Sequence, residues 1–493
     1  MSKKKSLLTS ILTTILSRGI GFIRTLVETT LLGLGSFSDS YMAAFRLTNF
    51  FRELFGEGAM SGAFIPIYSK VKHQEGEDSA SSFFYLCCIF VFVLSSLIFI
   101  SLNFFLSDIL TIWLKDFSPE KIHNTKDLAQ IMLPYLVFIS MASMFLLYHQ
   151  IKSKFFYSSI HPVLFSFSVI SCGIINPLNQ QAKSLALGLM IGGLLQLCLL
   201  LLSIKLPPFN IKNIVSKLPH LKKMSILLIP VIFSLMVSRI NRLIDLNFAS
   251  GLINGSLSSL VYATVLINVP LGFIGVATNN VIFPIIAKLK ASDDHEKFQV
   301  EITDTFYYLS CIGLPVSIFL HLYSYEICSI LFIKVPAFLS VNSMFDQKAL
   351  ELLSSSLQYY SPGLLALLVL PFIIKIFHAC TDTKTPAFIS LFIVIINVIL
   401  NYYFTPLWQN KGIAAATSIA SYIQVFFLYV FLTKRGVYLV SIKSILKLIQ
   451  VFILCIILSF GCSKIPSQFS PIPELLLFTL SFTGFHLFSK KVK

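Results

Sequence analysis

Acidic side chains are scarce in this sequence, 22 Asp and Glu against 38 Lys and Arg in 493 residues, and charges of both signs make up only 12%. With 56% hydrophobic residues and a mean hydropathy of +0.82, the chain lies outside the composition of soluble domains and belongs in a bilayer. Other absences narrow the function. No Walker A loop is present, so if the chain moves a solute the energy would come from an ion gradient, the membrane potential or the solute's own gradient. The nine cysteines form no CxxC and no metal-ligand spacing, and inside apolar runs a thiol behaves as a small hydrophobe. The lysines do not gather on one stripe, which removes nucleic acid as a partner. Arg18 interrupts the apolar stretch after Lys5 and no small-x-small cleavage site follows, so this reads as a retained span. The outer connectors are short and hold no cluster of acid, metal ligand or nucleophile, which argues against a membrane enzyme. His149, His161, His321 and His378 fall near span ends and read as interfacial.

What is present is a succession of apolar runs long enough to span, each needing about 20 residues. Six lie at 8–32, 41–69, 84–106, 128–149, 160–177 and 184–204. A Lys- and Pro-containing connector, 205–223, separates them from eight more at 224–250, 257–287, 304–333, 352–374, 387–405, 412–433, 444–462 and 472–489. The expectation is an all-α polytopic membrane protein of about 14 transmembrane helices.

Alternating sides from a cytoplasmic N-terminus puts 24 basic residues of connectors and termini inside and eight outside, as the positive-inside rule requires. That places both termini in the cytoplasm. Six basic residues remain, and all are arginines within proposed spans: Arg18, Arg24, Arg46, Arg52, Arg239 and Arg242. Arg435 is the seventh arginine and lies in a connector.

An internal repeat is legible. Ser17-Arg18 recurs as Ser238-Arg239, and Phe64-Ile65-Pro66 as Ile282-Phe283-Pro284; His161-Pro162 matches Thr385-Pro386, Lys183 matches Lys411, and Gln196 matches Gln424. Chance matches among apolar segments would not keep one offset. Six spans per copy is even, so the copies are parallel repeats related by an axis along the membrane normal. The expected domains are a six-helix bundle at 1–204, the connector at 205–223, a second six-helix bundle at 224–433, and two additional helices at 434–493.

An arginine at the centre of a span costs roughly 2.5 to 3.5 kcal/mol on insertion scales, so six of them cannot face acyl chains. They either pair with carboxylates between helices or line a polar cavity. At about 100° per residue, Arg46, Asn49, Glu53 and Glu57 share one strip of the second span; Ser17, Gly21, Arg24 and Glu28 form another on the first. Arg52 lies well off these strips. Arg239, Arg242 and Asp245 spiral along one side of the seventh. Guanidinium forks suit oxyanions bidentately, and several facing arginines imply an anion with several oxygens. Glu53, Glu57, Asp39 and Asp245 would hold them in place in an empty cavity.

Ser17-Arg18-Gly19-Ile20-Gly21-Phe22-Ile23-Arg24, Asp39, Arg52-Glu53-Leu54-Phe55-Gly56-Glu57-Gly58-Ala59, Pro270-Leu271-Gly272 and Asp382-Thr383-Lys384-Thr385-Pro386 together resemble the MurJ (MviN) lipid II flippases, in order across nearly the whole chain. The resemblance implies a fold of the multidrug/oligosaccharidyl-lipid/polysaccharide exporter superfamily and outward movement of an undecaprenyl-pyrophosphate-linked peptidoglycan precursor by alternating access in the bacterial inner membrane. It makes Arg18, Arg24 and Arg52 substrate arginines, with Asp39 and Glu57 as polar partners. The family's arginine after Tyr-Ala in the eighth span is missing, since Tyr262-Ala263 precedes Thr264-Val265; Arg242, beside Arg239, is expected to supply that charge. The resemblance also implies a sodium site at Asp245, Asn397, Asn401, Ile413 and Thr417, where polar residues joining helices are the alternative reading. No other cofactor is expected. The implied partners are the lipid-linked substrate, membrane lipids and cell-wall synthesis enzymes, with the chain a monomer. A flippase for another polyprenyl-linked glycan and a cation-coupled drug exporter of the same fold stay open, although the exporter would call for a cavity of carboxylates and aromatics.

Overall fold

In a bilayer each backbone polar group must be satisfied within its own segment, which leaves a chain of apolar runs little choice but helix. A computed structural model describes residues 3–55, 59–152, 154–175, 181–204, 211–292, 294–338, 343–440, 444 and 446–453, and among them the regular structure is helical throughout. Eight helices among the described residues are long and apolar enough to cross a membrane. The runs predicted at 444–462 and 472–489 lie mostly outside the described residues.

The chain divides into two compact units, Met1–Ser258 with Asn342–Met344, and Ser259–Val341 with Phe345–Lys493. The first contains α1 (Lys3–Leu32), α2 (Ser36–Phe55), α3 (Ala59–Glu75), α4 (Glu77–Trp113), α5 (Pro119–Met132), α6 (Pro134–Ile151), α7 (Phe155–Ile175), α8 (Gln181–Leu202), α9 (Ile211–Val215) and α10 (Leu218–Ser250). The second predicted span takes in α2 and α3, with residues 56–58 between them outside the described residues. The boundary also moves. Helix α10, predicted to open the second bundle, packs on α2, α3 and α4, so the division falls after Ser258 instead of in the 205–223 connector.

Local chemistry sets several helix ends of this unit. Ser118 accepts from Lys121 N at 3.3 Å with Pro119 at the first helical position of α5. Gly33 closes α1 at φ 61°, where a Cβ would lie 2.7 Å from the Met344 carbonyl oxygen. The core joins α3, α4 and α6 through Phe64, Tyr68, Phe83, Phe84 and Tyr148, with Phe84 stacked on Tyr148 at 4.5 Å. Phe64 of the repeated Phe-Ile-Pro element is thus a packing residue. His149, in the last turn of α6, is buried, its Nε2 2.9 Å from the Leu200 carbonyl oxygen.

The second unit contains α11 (Ser256–Pro270, whose first turn belongs to the first unit), α12 (Val276–Ala291), α13 (His295–Leu322), α14 (Ser324–Ser329), α15 (Val335–Phe338), α16 (Gln347–Tyr360), α17 (Leu364–Ala379), α18 (Lys384–Trp408) and α19 (Asn410–Thr433). Its core gathers Phe298, Phe372, Ile373, Phe377, Ile393, Leu428 and Leu432. Asp294 and Asp346 cap α13 and α16 by accepting from Lys297 N at 3.2 Å and Ala349 N at 2.7 Å.

The repeat has a counterpart in side-chain use. In the first unit Gln196 of α8 donates to the His161 carbonyl of α7 at 3.3 Å. In the second, Gln424 of α19 donates to Ser390 Oγ of α18 at 3.0 Å. Matched glutamines perform matched helix-to-helix bonds, each within its own unit.

Candidate functional site

On α2 the three- and four-residue spacing does what the strip implied. Asn49 Nδ2 donates to Glu53 Oε1 at 3.1 Å, one turn on. Arg52, off the strip by angle, reaches back with its long side chain, so that Nε donates to Asn49 Oδ1 at 2.5 Å and the guanidinium lies 3.9 Å from Glu53 Oε1.

Helix α10 completes the cluster. Arg239 Nε and Arg242 Nη2 each lie 2.7 Å from Glu53 Oε2. One carboxylate oxygen thus faces two guanidiniums three residues apart, while the other faces Asn49 and Arg52. Three guanidiniums gather around one carboxylate. The Glu53 side chain is only 12% exposed and that of Arg242 42%, so the carboxylate is sheltered and the cations still meet solvent. The planar guanidinium fork is suited to binding oxyanions. Glu53 was legible as a partner from its spacing to Asn49, but nothing in the sequence showed that α10 would deliver both of its arginines to that one residue.

The other predicted residues are distributed differently. Arg24 pairs with Glu28, one turn along α1, at 3.7 Å, and lies over the Phe165 ring of α7 at 4.9 Å. Arg18 is exposed on α1, and Arg46 is half-buried on α2. Asp245 is buried on α10 one turn past Arg242. Glu57 lies outside the described residues. Asn397 and Asn401 of α18 are fully buried in the second unit, and on α19 the Thr417 hydroxyl donates to the Ile413 carbonyl at 3.2 Å.

Asp39 is a correction. Expected beside the substrate arginines, it sits in the first turn of α2, about 21 Å of helix rise from Glu53. Its carboxylate is 1% exposed. Oδ2 accepts from Lys121 Nζ at 3.0 Å and Gly255 N at 2.8 Å; Oδ1 accepts from Ser258 N at 2.9 Å and Ser258 Oγ at 2.8 Å. Lys121 also donates to Asn254 Oδ1 at 3.0 Å. Asp39 therefore neutralises a buried lysine and caps the start of α11.

The Asp-Thr-Lys-Thr-Pro element also has a structural task. Asp382 Oδ1 accepts from Lys384 N and Thr385 N at 3.0 Å each, and Oδ2 from Arg435 Nη2 at 2.5 Å. Burial would raise its pKa. The Thr385 hydrogen bonds and the Arg435 guanidinium overcome that and hold it at about 2. Thr264, which follows Tyr262-Ala263, donates to the Val261 carbonyl of its own helix at 2.7 Å.

Comparison with known proteins gives consistent matches. A family model described as lipid II flippase MurJ matches residues 28–479. A probable lipid II flippase MurJ of Buchnera aphidicola subsp. Schizaphis graminum is 29% identical over 472 residues, covering 93% of this chain and 89% of that one. One of Vibrio cholerae is 29% identical over 456 residues, covering 88% and 83%, and the lipid II flippase MurJ of Burkholderia cenocepacia is 25% identical over 453, covering 89% and 85%. Among solved structures, a lipid II flippase MurJ in an inward closed conformation superposes with a TM-score of 0.84 at 24% identity over 99% of both chains. A multidrug resistance MATE family transporter of the MOP superfamily, inward-facing, gives 0.70 at 14% identity over 84% of this chain and 93% of that one.

Proposed function

The chain belongs to the lipid II flippase MurJ family, and from that membership and the arginine cluster we propose that it carries lipid II from the inner to the outer face of the bacterial cytoplasmic membrane by alternating access. It is a transporter, not an enzyme. The observation that carries the substrate class is the set of three guanidiniums gathered on one sheltered carboxylate. A diphosphate offers several oxygens to such a set of forks. A cationic drug would be repelled by the same guanidiniums, which weighs against the exporter reading. The lysine bias supports cytoplasmic termini, and a sodium gradient acting through Asp245, Asn397, Asn401, Ile413 and Thr417 is the proposed coupling.

The test is replacement in the cell. A bacterium depleted of its own flippase and expressing this chain should grow and show lipid II accessible on the outer face. Accumulation of lipid II at the inner face despite membrane-inserted protein would overturn the proposal. Transport by right-side-out vesicles that ignores an imposed sodium gradient would remove the cation.

A further inference from the structure

Glu53 occupies the place in the arginine cluster that an anionic ligand would take. Oε2 accepts from Arg242 Nη2 at 2.7 Å and forms an ion pair with Arg239 at 2.7 Å, Oε1 accepts from Asn49 at 3.1 Å, and Arg52 stands 3.9 Å away. A ligand approaching these guanidiniums meets a competitor that is tethered in place, with the effective concentration of an intramolecular group, on the order of millimolar or higher. A phosphodiester carries one negative charge and gains nothing by exchanging with a carboxylate of equal charge. A diphosphate brings at least two charges and more acceptor oxygens, and can span guanidiniums that Glu53 serves with a single oxygen.

We propose that Glu53 is a specificity-determining residue, a built-in competitor that keeps the singly charged phosphodiester headgroups of bulk membrane lipids off Arg52, Arg239 and Arg242 and yields only to a diphosphate. The inference rests on the diphosphate reading above. Its logic is discrimination by a cost imposed on the wrong ligand, needed here because every phospholipid in the membrane presents a phosphate to the same arginines. Asn49 has a part in the exchange. It lies one turn before Glu53 on the same helix and already donates to it, so the displaced carboxylate keeps a hydrogen-bond partner. Glu53 acts through the arginines and is a positioning residue.

The experiment titrates the purified full-length chain, and its Glu53→Gln and Glu53→Asp variants, with farnesyl diphosphate and with dihexanoyl phosphatidylglycerol, reading both dissociation constants. The wild type should prefer the diphosphate. Glu53→Gln, equal in size but uncharged, should bind the phosphatidylglycerol at least about tenfold more tightly, with a smaller gain for the diphosphate, so that selectivity collapses. Glu53→Asp keeps the charge and should keep the preference, which guards against a Gln variant that folds poorly. Equal weakening of both ligands in Glu53→Gln would mean that Glu53 only scaffolds the arginines and would overturn the filter, as would an unchanged ratio. Failure of the wild type to bind farnesyl diphosphate at all would instead overturn the diphosphate reading itself.

Discussion

Arg239 and Arg242 share one oxygen of Glu53, so their contributions are coupled and neither can be judged alone. Arg242 is the more exposed of the two, 42% against 30%, and the better placed to meet a ligand. Arg242→Ala should reduce outer-face lipid II by about tenfold or more, and Arg242→Lys should recover part of it, because an ammonium restores charge but not the bidentate fork. Full activity of the alanine variant, or rescue by leucine, would sink the assignment. The legibility of single residues follows how far away their partners are. Asn49 and Glu53 are neighbours on one helix, and the spacing predicts them. The partner of Asp39 is Lys121, 82 residues away, and no local pattern connects the two. Arg435, which the topology count treats as a connector cation, clamps Asp382. That clamp has a pH signature. Asp382 has its pKa lowered from 3.8 to about 2, so the stabilisation it gives is complete above pH ~4 and is lost as pH falls towards 2. The difference in melting temperature between wild type and Asp382→Asn should therefore be constant near neutrality and shrink between pH 4 and 2. A difference independent of pH would show that the carboxylate charge is not what holds the loop.

Helix contacts within the first unit turn on small residues. Gly188 of α8 would place a Cβ 2.9 Å from Val169 Cα of α7, and Gly193 would place one 2.3 Å from the Tyr135 ring of α6. Gly188 meets a backbone atom, which cannot rotate aside, so the whole helix would have to move. Such small residues are how helices approach closely where lipid offers no hydrophobic drive. Gly188→Ala should cost on the order of 1–3 kcal/mol by overpacking, seen as a lower melting temperature. A Cβ on Gly62 of α3 would meet nothing within 4 Å, and Gly62→Ala should be neutral or gain up to about 1 kcal/mol of helix propensity. Equal effects of the two would contradict the packing argument. The sequence predicts the existence of most helices, because apolar length alone demands them. It does not predict their partners. α10 joins the first unit through α2, α3 and α4, although its place in the repeat pointed to the second, since a repeat reports ancestry and packing is decided by surfaces.

The side-chain pairs also test the alternation of connectors, because groups on opposite faces of a bilayer about 30 Å thick cannot bond. Glu75 bonds Lys217 and His220; Glu77 bonds Lys72 and Lys152; Asp382 bonds Arg435. All of these fall in connectors that the lysine count assigns to the inside. Asp39, Lys121 and Asn254 bond one another, and Trp113 Nε1 donates to the Leu243 carbonyl at 2.9 Å, at span ends assigned to the outside. Each group joins residues of one unit and of one predicted side, as an even number of spans between them requires. Bonded connectors within a unit share a face, and the proposed cytoplasmic face is the one that carries the lysine bias. Alkaline phosphatase, active only outside the cytoplasm, should accordingly be active when fused after Lys183 and inactive when fused after Lys217 or at Lys493. Green fluorescent protein should show the reverse pattern. Phosphatase activity at Lys493 with the Lys183 and Lys217 fusions as expected would mean an odd number of spans beyond Lys217, and would sink the count of fourteen while leaving the first six in place.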